Sequence, residues 1–384
     1  MLSKRVSDVS QSATVSMSNI AATMKREGKE VINFGIGEPD FLTPKPVINY
    51  AFKEALEGYT HYTPSKGYPE LREKIIKKIL PDGNTIINKE NVIVTPTKFA
   101  INLSYLTIAD AGDEIIIPEP YFLSYPEIGN LYGIKPVGVQ SNDDFSLNID
   151  NIQNAITPKT KGVIISNPAN PTGKVFSREQ IKQLQKLCID ENIYLMVDQI
   201  YEKLVYEGSI QSPFELDPTM DHTILISGFS KSYAMTGWRI GYMISNSSVI
   251  DAADKFQQQT ITCAPSISQM GALEALNDDE SPEKMKEIFK KRLELITSLV
   301  ENIPGLTLNR PDGAFYIFPR YDMNLSSVEF CQEALKRKGL ILTPGSVFGS
   351  QGERHFRISY ATDEVTIRKG MEKLREFMEE MSKI

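Results

Sequence analysis

The stretch Ser227–Tyr242 reads SGFSKSYAMTGWRIGY and directly continues the apolar run Thr223–Ile226. Lys231 therefore lies in a turn of small and polar residues that follows a strand buried on both faces. A partly desolvated lysine at such a place can form a Schiff base with a carbonyl compound. Arg239 follows the only tryptophan of the chain, and its guanidinium could bind a phosphate through two parallel hydrogen bonds. Considered alone, such a lysine more often lies on the surface, and such an arginine more often belongs to a structural ion pair.

Similar short apolar runs recur along the middle of the chain, and several are too uniformly apolar to be strands with one solvent-exposed face. They are Val92–Val94, Glu114–Ile117, Gly162–Ile165, Tyr194–Val197 and Ile240–Ile244. Segments with helical periodicity lie between them, at Phe99–Ala109, Tyr125–Leu131 and Ser177–Glu191, where Ser177 is a candidate N-cap. Strands that alternate with helices in this way predict an α/β domain.

The pattern changes after Asn277–Pro282, which reads NDDESP and resembles a break between elements. The C-terminal hundred residues predict a long charged helix, two short strands and two more helices, at Glu283–Asn302, Gly313–Phe318, His355–Tyr360, Ser327–Lys338 and Thr366–Lys383. We therefore predict a large domain over residues 48–281. Residues 282–384 should form a smaller α+β domain, with residues 1–47 as an N-terminal arm.

Composition excludes several classes of protein. The net charge of −7 disfavours coating of nucleic acid, and no run of about 18 apolar residues predicts a membrane helix. The N-terminus lacks the apolar region of a secretory signal. The cysteines (Cys188, Cys263 and Cys331) are widely spaced and predict buried thiols in a reducing compartment, and the three histidines show no metal-ligand spacing. These features predict a cytoplasmic enzyme or binding protein without a metal site.

Two more strand ends carry polar residues. Asn167–Gly173 reads NPANPTG after one strand, and Asp198 ends the next strand, three residues before Tyr201. A carboxylate at the end of a buried strand needs a partner, and a protonated pyridine nitrogen is a suitable one. The sequence GIGEPD at 35–40 lacks the third glycine of a dinucleotide fingerprint, and no phosphate-binding GxxxxGK[ST] loop or GxSxG motif is present.

The motifs NPxNPTG, DxxY and SKxxxMTGWRxGY, in this order and spacing, resemble the class I aminotransferases among the fold-type I pyridoxal-phosphate enzymes. Further segments resemble landmarks of the same family: GEPDF at 37–41, YTPSKGYPELR at 62–72, GAFY at 313–316 and RISY at 357–360. The resemblance runs from about residue 12 to the C-terminus and is greatest to the prokaryotic aspartate or broad-specificity subgroup. It implies a large domain with a mixed, mostly parallel sheet flanked by helices, plus a smaller α+β domain.

The resemblance implies pyridoxal 5′-phosphate as cofactor, with roles for matching residues. Lys231 would bind the cofactor carbonyl and then move the proton between the substrate Cα and the cofactor C4′. Asp198 would pair with the pyridinium, and Asn170 and Tyr201 would hydrogen-bond the phenolic oxygen. Phe122 would stack on the ring, with Tyr121 as the weaker candidate. The phosphate contacts would come from Arg239, Ser230, the amides of Thr97 and Lys98, and Tyr62 of a second subunit.

For the substrate, the resemblance implies that Arg357 binds the α-carboxylate, aided by the backbone of Gly37 and by Asn170. Lys98 would contact the distal carboxylate of aspartate or glutamate, with Ser12 and Thr14 nearby, although a solvated charge at Lys98 is equally compatible with the sequence. Tyr62 and Phe122 could alternatively be core residues. The family context also implies a homodimer that binds small amino and oxo acids, without nucleic acid or membrane partners.

Three positions depart from the family pattern. Pro96 removes one amide from the phosphate-binding turn, although proline is acceptable at the start of a helix and the following amides remain. Gly228 stands where a serine hydroxyl often binds the phosphate. Gln199 stands where a glutamate usually follows the pyridinium-binding aspartate.

Four functions are compatible with these residues. We expect an aminotransferase that exchanges amino groups between an L-amino acid, aspartate or glutamate or a broader set, and 2-oxoglutarate. An aminotransferase of aromatic, alanine or kynurenine type is an alternative. A β-lyase or a cyclopropane-forming synthase of the same fold is another. A non-catalytic binding module is the fourth, and the presence of both Lys231 and Asp198 argues against it.

Overall fold

A computed structural model describes residues 20, 23–24, 26–28, 30–80 and 86–383. The strands, numbered in chain order, are β1 Ile32–Asn33, β2 Val92–Thr95, β3 Glu114–Glu119, β4 Lys135–Gln140, β5 Thr160–Ser166, β6 Tyr194–Asp198, β7 Thr223–Gly228, β8 Gly241–Ile244, β9 Leu306–Thr307, β10 Tyr316–Ile317, β11 Arg320–Tyr321, β12 Leu340–Ile341, β13 Thr343–Pro344 and β14 Phe356–Ser359. The helices are α1 Lys45–Leu56, α2 Pro69–Ile79, α3 Thr97–Ile108, α4 Ser124–Tyr132, α5 Ile149–Asn154, α6 Arg178–Asp190, α7 Ser247–Thr260, α8 Ser266–Ala275, α9 Glu280–Glu301, α10 Ser327–Lys338 and α11 Glu364–Met381. None of these helices is long and apolar enough to cross a membrane.

Seven strands form one twisted sheet in the order β2-β8-β7-β6-β5-β3-β4. Every neighbouring pair is parallel except the two that involve β8, which runs antiparallel to both β2 and β7. The five central strands are almost entirely buried, since helices cover both faces of the sheet. The mixed, mostly parallel sheet implied by the resemblance is therefore confirmed.

The local predictions are confirmed for most elements, and the differences have physical reasons. Ser177 caps helix α6, and its side chain and that of Gln180 form a reciprocal capping box. Strand β4 was not predicted from the sequence, because it lies at the edge of the sheet and is partly exposed, so it lacks an apolar run. Helix α9 begins at Glu280, inside the predicted break, because Pro282 lies in the first turn, where its missing N–H forms no helical bond. Cys263 is half-buried, so the prediction of three buried thiols is wrong at that position.

A second group of elements packs on the carboxyl-terminal side of the sheet. Its strands form three small sheets, one of which pairs β1 with β12 in parallel, so that Ile32 lies opposite Leu340. Helices α9, α10 and α11 bury their apolar faces in a shared cluster that also includes Ile32 and Phe34. Ile200 and Tyr201, which follow β6, belong to the same cluster and join it to the large sheet.

The parallel strands end at one edge of the large sheet, and the loops that follow them form a cleft there. Ser166, at the end of β5, lies opposite Asp198, at the end of β6, and Asp198 lies opposite Ile226 of β7. In open α/β sheets, ligands bind in the crevice outside the carboxyl ends of the strands, at the point where the strand order reverses.

Candidate active site

A pocket of about 290 Å³ lies at this edge of the sheet. It is lined by the predicted site residues Gly37, Thr97, Lys98, Phe122, Asn170, Asp198, Tyr201, Ser230, Lys231, Arg239 and Arg357. Tyr62 is the exception, since its side chain is 88% exposed and does not line the pocket of its own chain. Ser12 and Thr14 lie outside the described residues. The structure thus brings together residues from opposite ends of the sequence, such as Gly37 and Arg357.

Lys231 follows β7, and its amine extends into the pocket. The Nζ atom donates a hydrogen bond to the carbonyl oxygen of Gly37 at 2.6 Å. Burial lowers the pKa of Lys231 to about 8, although the negative charge of Glu38 opposes that shift. Part of the lysine population is therefore neutral near physiological pH, which is the state that attacks a carbonyl carbon.

Asp198 is buried at the end of β6, and its two oxygens accept hydrogen bonds from different elements. The backbone N–H of Ile200 donates to Oδ1 at 3.1 Å, and the Tyr125 hydroxyl donates to Oδ2 at 3.0 Å. Burial nevertheless raises the pKa of Asp198 to about 6, because these two bonds do not replace full hydration. A buried carboxylate of this kind is stabilised by a cation that enters the pocket.

Arg357 is a buried cation whose hydrogen bonds go to neutral oxygens. Its guanidinium donates to Oδ1 of Asn170 at 3.0 Å and to the carbonyl oxygen of Gly35 at 2.8 Å. The rings of Tyr316 and Phe348 lie on it, with centroids 4.6 and 5.1 Å from Cζ. Among the described residues no carboxylate pairs with it, so a carboxylate ligand would supply the missing charge.

The helix α3 begins at the pocket, immediately after Pro96. The amides of the first turn of a helix have no partner within it, so those of Thr97 and Lys98 form an anion-binding end. The carbonyl of Pro96 accepts from Phe99 and Ala100 at 2.7 and 2.9 Å, so the helix starts normally despite the proline. Arg239 lies at the same end of the pocket and adopts a left-handed φ of 54°, which is uncommon for a residue with a side chain.

The glycine at position 228 has a steric reason. A Cβ atom added there would collide with Oγ1 of Thr97 and would lie 2.8 Å from the Cα of Gly241. The Thr97 hydroxyl, 3.4 Å from the carbonyl oxygen of Ser227, thus occupies the space that a side chain at 228 would need. The Thr97 hydroxyl, at the start of α3, therefore lies next to the place of the hydroxyl that a serine at 228 would provide.

Phe122 is one of the aromatic residues that line the pocket, whereas Tyr121 does not line it. The Phe122 ring contacts Tyr125 edge-on, with centroids 5.5 Å apart. The ammonium of Lys98 lies 5.5 Å from the Phe122 centroid. Partial desolvation, followed by the charge of Arg239, lowers the pKa of Lys98. Lys98 therefore adds a further cation to the pocket, beside Phe122.

These residues fit pyridoxal phosphate. The buried carboxylate of Asp198 can pair with a pyridinium nitrogen. The helix N-terminus together with Arg239 can bind a phosphate, and the amine of Lys231 can react with an aldehyde. The fit rests on the hydrogen-bond donors of the pocket and on Asp198, which among the described residues has no cationic neighbour within hydrogen-bond distance.

Five residues that line the pocket received no role from the sequence: Ile101, Ser166, Ile200, Thr236 and Tyr316. Ser166 ends β5 and Ile200 follows β6, so both lie next to residues that the sequence analysis had selected, Asn167–Gly173 and Asp198. In the sequence, Tyr316 was noted only as part of the GAFY segment. In the structure, its hydroxyl lies 2.8 Å from the hydroxyl of Tyr201. No local pattern connects two residues 115 positions apart.

Comparison with known proteins identifies the family. The family described as "Aminotransferase class I and II" matches residues 29–374. A relative from Methanocaldococcus jannaschii named (5-formylfuran-3-yl)methyl phosphate transaminase is 39% identical, over 98% of this chain and all of that protein. Aspartate aminotransferase from Bacillus subtilis is 37% identical, over 99% of this chain and all of the relative.

A solved structure has the same fold. It is aspartate aminotransferase from Thermus thermophilus with maleate, which superposes with a TM-score of 0.92 at 35% identity and covers 98% of this chain and 99% of that one. The matches extend over both the large sheet and the second group of elements. The chain therefore belongs to the class I and II aminotransferase family, with the fold-type I architecture, and is a transferase that uses pyridoxal 5′-phosphate.

Proposed function

We propose that this aminotransferase prefers dicarboxylic amino acids, aspartate or glutamate, as donors and 2-oxoglutarate as acceptor. Four cationic side chains line the pocket, and two of them have neither a carboxylate partner among the described residues nor a role toward the cofactor: Arg357, which is buried, and Lys98, beside Phe122. These two free charges are the observation that carries the proposal. An amino acid with two carboxylates can neutralise both charges. The name of the Bacillus subtilis relative, and the name of the Thermus thermophilus structure solved with maleate, support a dicarboxylate ligand.

The same proposal assigns the holding of the cofactor to residues of this pocket. Asp198 would pair with the ring nitrogen, while Asn170 and Tyr201 would bind the phenolic oxygen. Phe122 would lie on the ring face. The phosphate would be held by Arg239, Ser230 and the first-turn amides of Thr97 and Lys98.

When bound, the cofactor supplies an aldehyde carbon and an electron-withdrawing ring. Lys231 would hold that carbon covalently until the donor displaces it, and its freed amine would then take the proton from the substrate Cα and carry it to the cofactor carbon. Arg357 would orient the α-carboxylate, aided by Asn170 and the Gly37 backbone, so that the Cα–H bond faces the lysine. The hydrogen bond to the carbonyl oxygen of Gly37 holds Nζ in the pocket that Arg357 also lines.

We further propose a homodimer in which Tyr62 contacts the phosphate in the partner subunit's pocket. Large apolar side chains exposed in this part of the chain support it, because Leu42, Leu56 and Tyr62 are 88%, 90% and 88% exposed. The division into a large domain at 48–281 and a smaller one at 282–384 with the 1–47 arm belongs to the same proposal, as does a cytoplasmic location. Light scattering tests the dimer: an active monomer would contradict the role of Tyr62.

The first test is the visible spectrum of the cofactor-loaded protein. Aspartate should bleach the yellow band, and 2-oxoglutarate should restore it. Lys98→Met should lower kcat/KM for aspartate at least about tenfold while changing that for alanine little, because a charge-assisted hydrogen bond contributes about 1.5–3 kcal/mol. Lys186→Met, on the exposed face of α6, is the matched control and should change neither value.

The outcomes separate the alternatives. Equal loss for aspartate and alanine in Lys98→Met would overturn the dicarboxylate preference. Release of pyruvate and ammonia from a β-substituted donor without any oxo acid would show a β-lyase instead. Faster turnover of aromatic, alanine or kynurenine donors would show that other aminotransferase type.

A further inference from the structure

Tyr316 connects the two halves of the pocket. It lies on β10, opposite Ser359 of β14, and its side chain is 1% exposed. Its ring covers the guanidinium of Arg357, and its hydroxyl lies 2.8 Å from the hydroxyl of Tyr201. One side chain thus contacts both the residue proposed to bind the substrate carboxylate and a residue proposed to bind the cofactor.

The two hydroxyls share one hydrogen bond, and its direction decides what Tyr201 offers to the pocket. A phenol has a single hydrogen. If Tyr201 donates to Tyr316, the oxygen of Tyr201 can only accept from a ligand. If Tyr316 donates to Tyr201, the hydrogen of Tyr201 remains free for an acceptor in the pocket, such as a phenolic oxygen.

The surroundings favour Tyr316 as donor. Burial raises the pKa of both phenols and the positive charge of Arg357 opposes the shift at both, but it is the ring of Tyr316, not that of Tyr201, that lies directly on the guanidinium. A phenol polarised by an adjacent cation is the better donor. In the described part of the chain, the hydroxyl of Tyr201 is also the only hydrogen-bond partner of the Tyr316 hydroxyl.

We propose that Tyr316 is a positioning residue: it donates its hydroxyl hydrogen to Tyr201 and thereby directs the Tyr201 hydroxyl hydrogen toward the cofactor oxygen. The inference rests on the proposed role of Tyr201. Tyr316 acts through Tyr201, and the structure shows why its own position is fixed. The space beside its hydroxyl is left open by Gly37, where a Cβ atom would collide with Oη. The carbonyl of Ala314, two residues earlier, accepts from Tyr360 at 3.1 Å and also from Tyr206.

The test uses the cofactor-loaded enzyme and the pH midpoint of its visible band. Donation to the phenolic oxygen stabilises that oxygen as an anion, so loss of the donor should make the chromophore retain its proton to higher pH. Tyr201→Phe should therefore raise the midpoint. Tyr316→Phe removes one oxygen and keeps the ring on Arg357. It should also raise the midpoint, by lowering the acid dissociation constant of the chromophore about two- to tenfold. The Tyr201→Phe/Tyr316→Phe double variant should titrate like Tyr201→Phe, because Tyr316 acts only through Tyr201.

Two further variants separate this role from a structural one. Tyr360→Phe also removes a buried tyrosine hydroxyl and should leave the midpoint unchanged. Tyr316→Phe should leave the KM for the amino donor within about twofold, whereas Tyr316→Leu, which also removes the ring from Arg357, should raise it. If the thermal midpoint of Tyr316→Phe lies well below that of Tyr360→Phe, the titration is made at a temperature below that midpoint, where the variant remains folded.

The inference would be overturned by an unchanged midpoint in Tyr316→Phe alongside a raised one in Tyr201→Phe, or by additive shifts in the double variant. An unchanged midpoint in Tyr201→Phe would overturn it by removing the role of Tyr201. Failure of the proposed function looks different, because the wild-type enzyme would then show no visible band that responds to an amino donor.

Discussion

The hydroxyl of Tyr125, on helix α4, donates a 3.0 Å hydrogen bond to Oδ2 of Asp198, at the end of β6. Both side chains are buried, and Tyr125 does not line the pocket. A residue outside the pocket therefore orients and stabilises the carboxylate inside it. This bond opposes the larger effect of burial, which raises the pKa of Asp198 to about 6.

Tyr125→Phe should weaken cofactor binding at mildly acidic pH. Without this donor the pKa of Asp198 rises above about 6. Pairing with a cationic ring requires the ionised carboxylate, so affinity is present above that pKa and lost as the pH falls through it. The pH midpoint of cofactor affinity, measured by titration of the apo chain between pH 5 and 8, should move upward. Tyr105→Phe is the control, because its buried hydroxyl has no partner among the described residues, and a similar shift in that variant would contradict the assignment.

Asp198→Asn should stabilise the apo chain while impairing cofactor binding. Burial raises the pKa of the Asp198 carboxyl from 3.8 to about 6 in the folded chain. The contribution of this carboxyl to stability is therefore fully present below pH 3.8 and is lost as the pH rises through about 6. A shift of about two units corresponds to roughly 3 kcal/mol. At pH 7.5 the apo variant should therefore unfold at higher denaturant concentration than the wild type. An equal or lower midpoint would show that the carboxylate is not strained by burial.

The rate of cofactor loading should depend on the ionisation of Lys231. The amine is nucleophilic only when neutral, so loading should rise with pH through about 8 and then level off. Glu38 raises the pKa of Lys231, so Glu38→Gln should move this midpoint to lower pH. Stopped-flow absorbance measures both profiles, with Lys231→Ala as the baseline that neither loads covalently nor turns over. A rate that still rises at pH 10 would contradict the lowered pKa.

Gly228→Ala should destabilise the apo chain by about 1–3 kcal/mol, because its Cβ would collide with Thr97 and the Gly241 backbone. The same contact predicts that Gly228→Ser does not strengthen phosphate binding. Gly237→Ala is the matched control in the same motif, since a Cβ there meets nothing within 4 Å. Thermal unfolding of the wild type, Gly228→Ala and Gly237→Ala tests the predicted destabilisation. Equal midpoints for Gly228→Ala and Gly237→Ala would contradict it.

Local sequence patterns predicted the central strands because burial on both faces requires continuous apolar runs. They also predicted Asp198 and Lys231 as chemistry-bearing residues, since each lies at or just after the end of such a strand. Strand β4 was not predicted, because an edge strand with exposed faces has neither an apolar run nor a strict alternation. The antiparallel direction of β8 is likewise absent from its composition, which matches that of its parallel neighbours.

The amino-acid sequence was sufficient to predict the fold class, the family resemblance and the residues at the strand ends, because parallel strands end on one side of a sheet and local periodicity reports burial. Which side chains meet there depends on the three-dimensional packing: the Tyr201–Tyr316 hydroxyl pair, the rings on Arg357 and the collision that requires Gly228. These contacts join residues that are distant in the chain, and several of them link both groups of elements. The free energy that holds them comes from packing and burial, which no local spacing in the chain encodes.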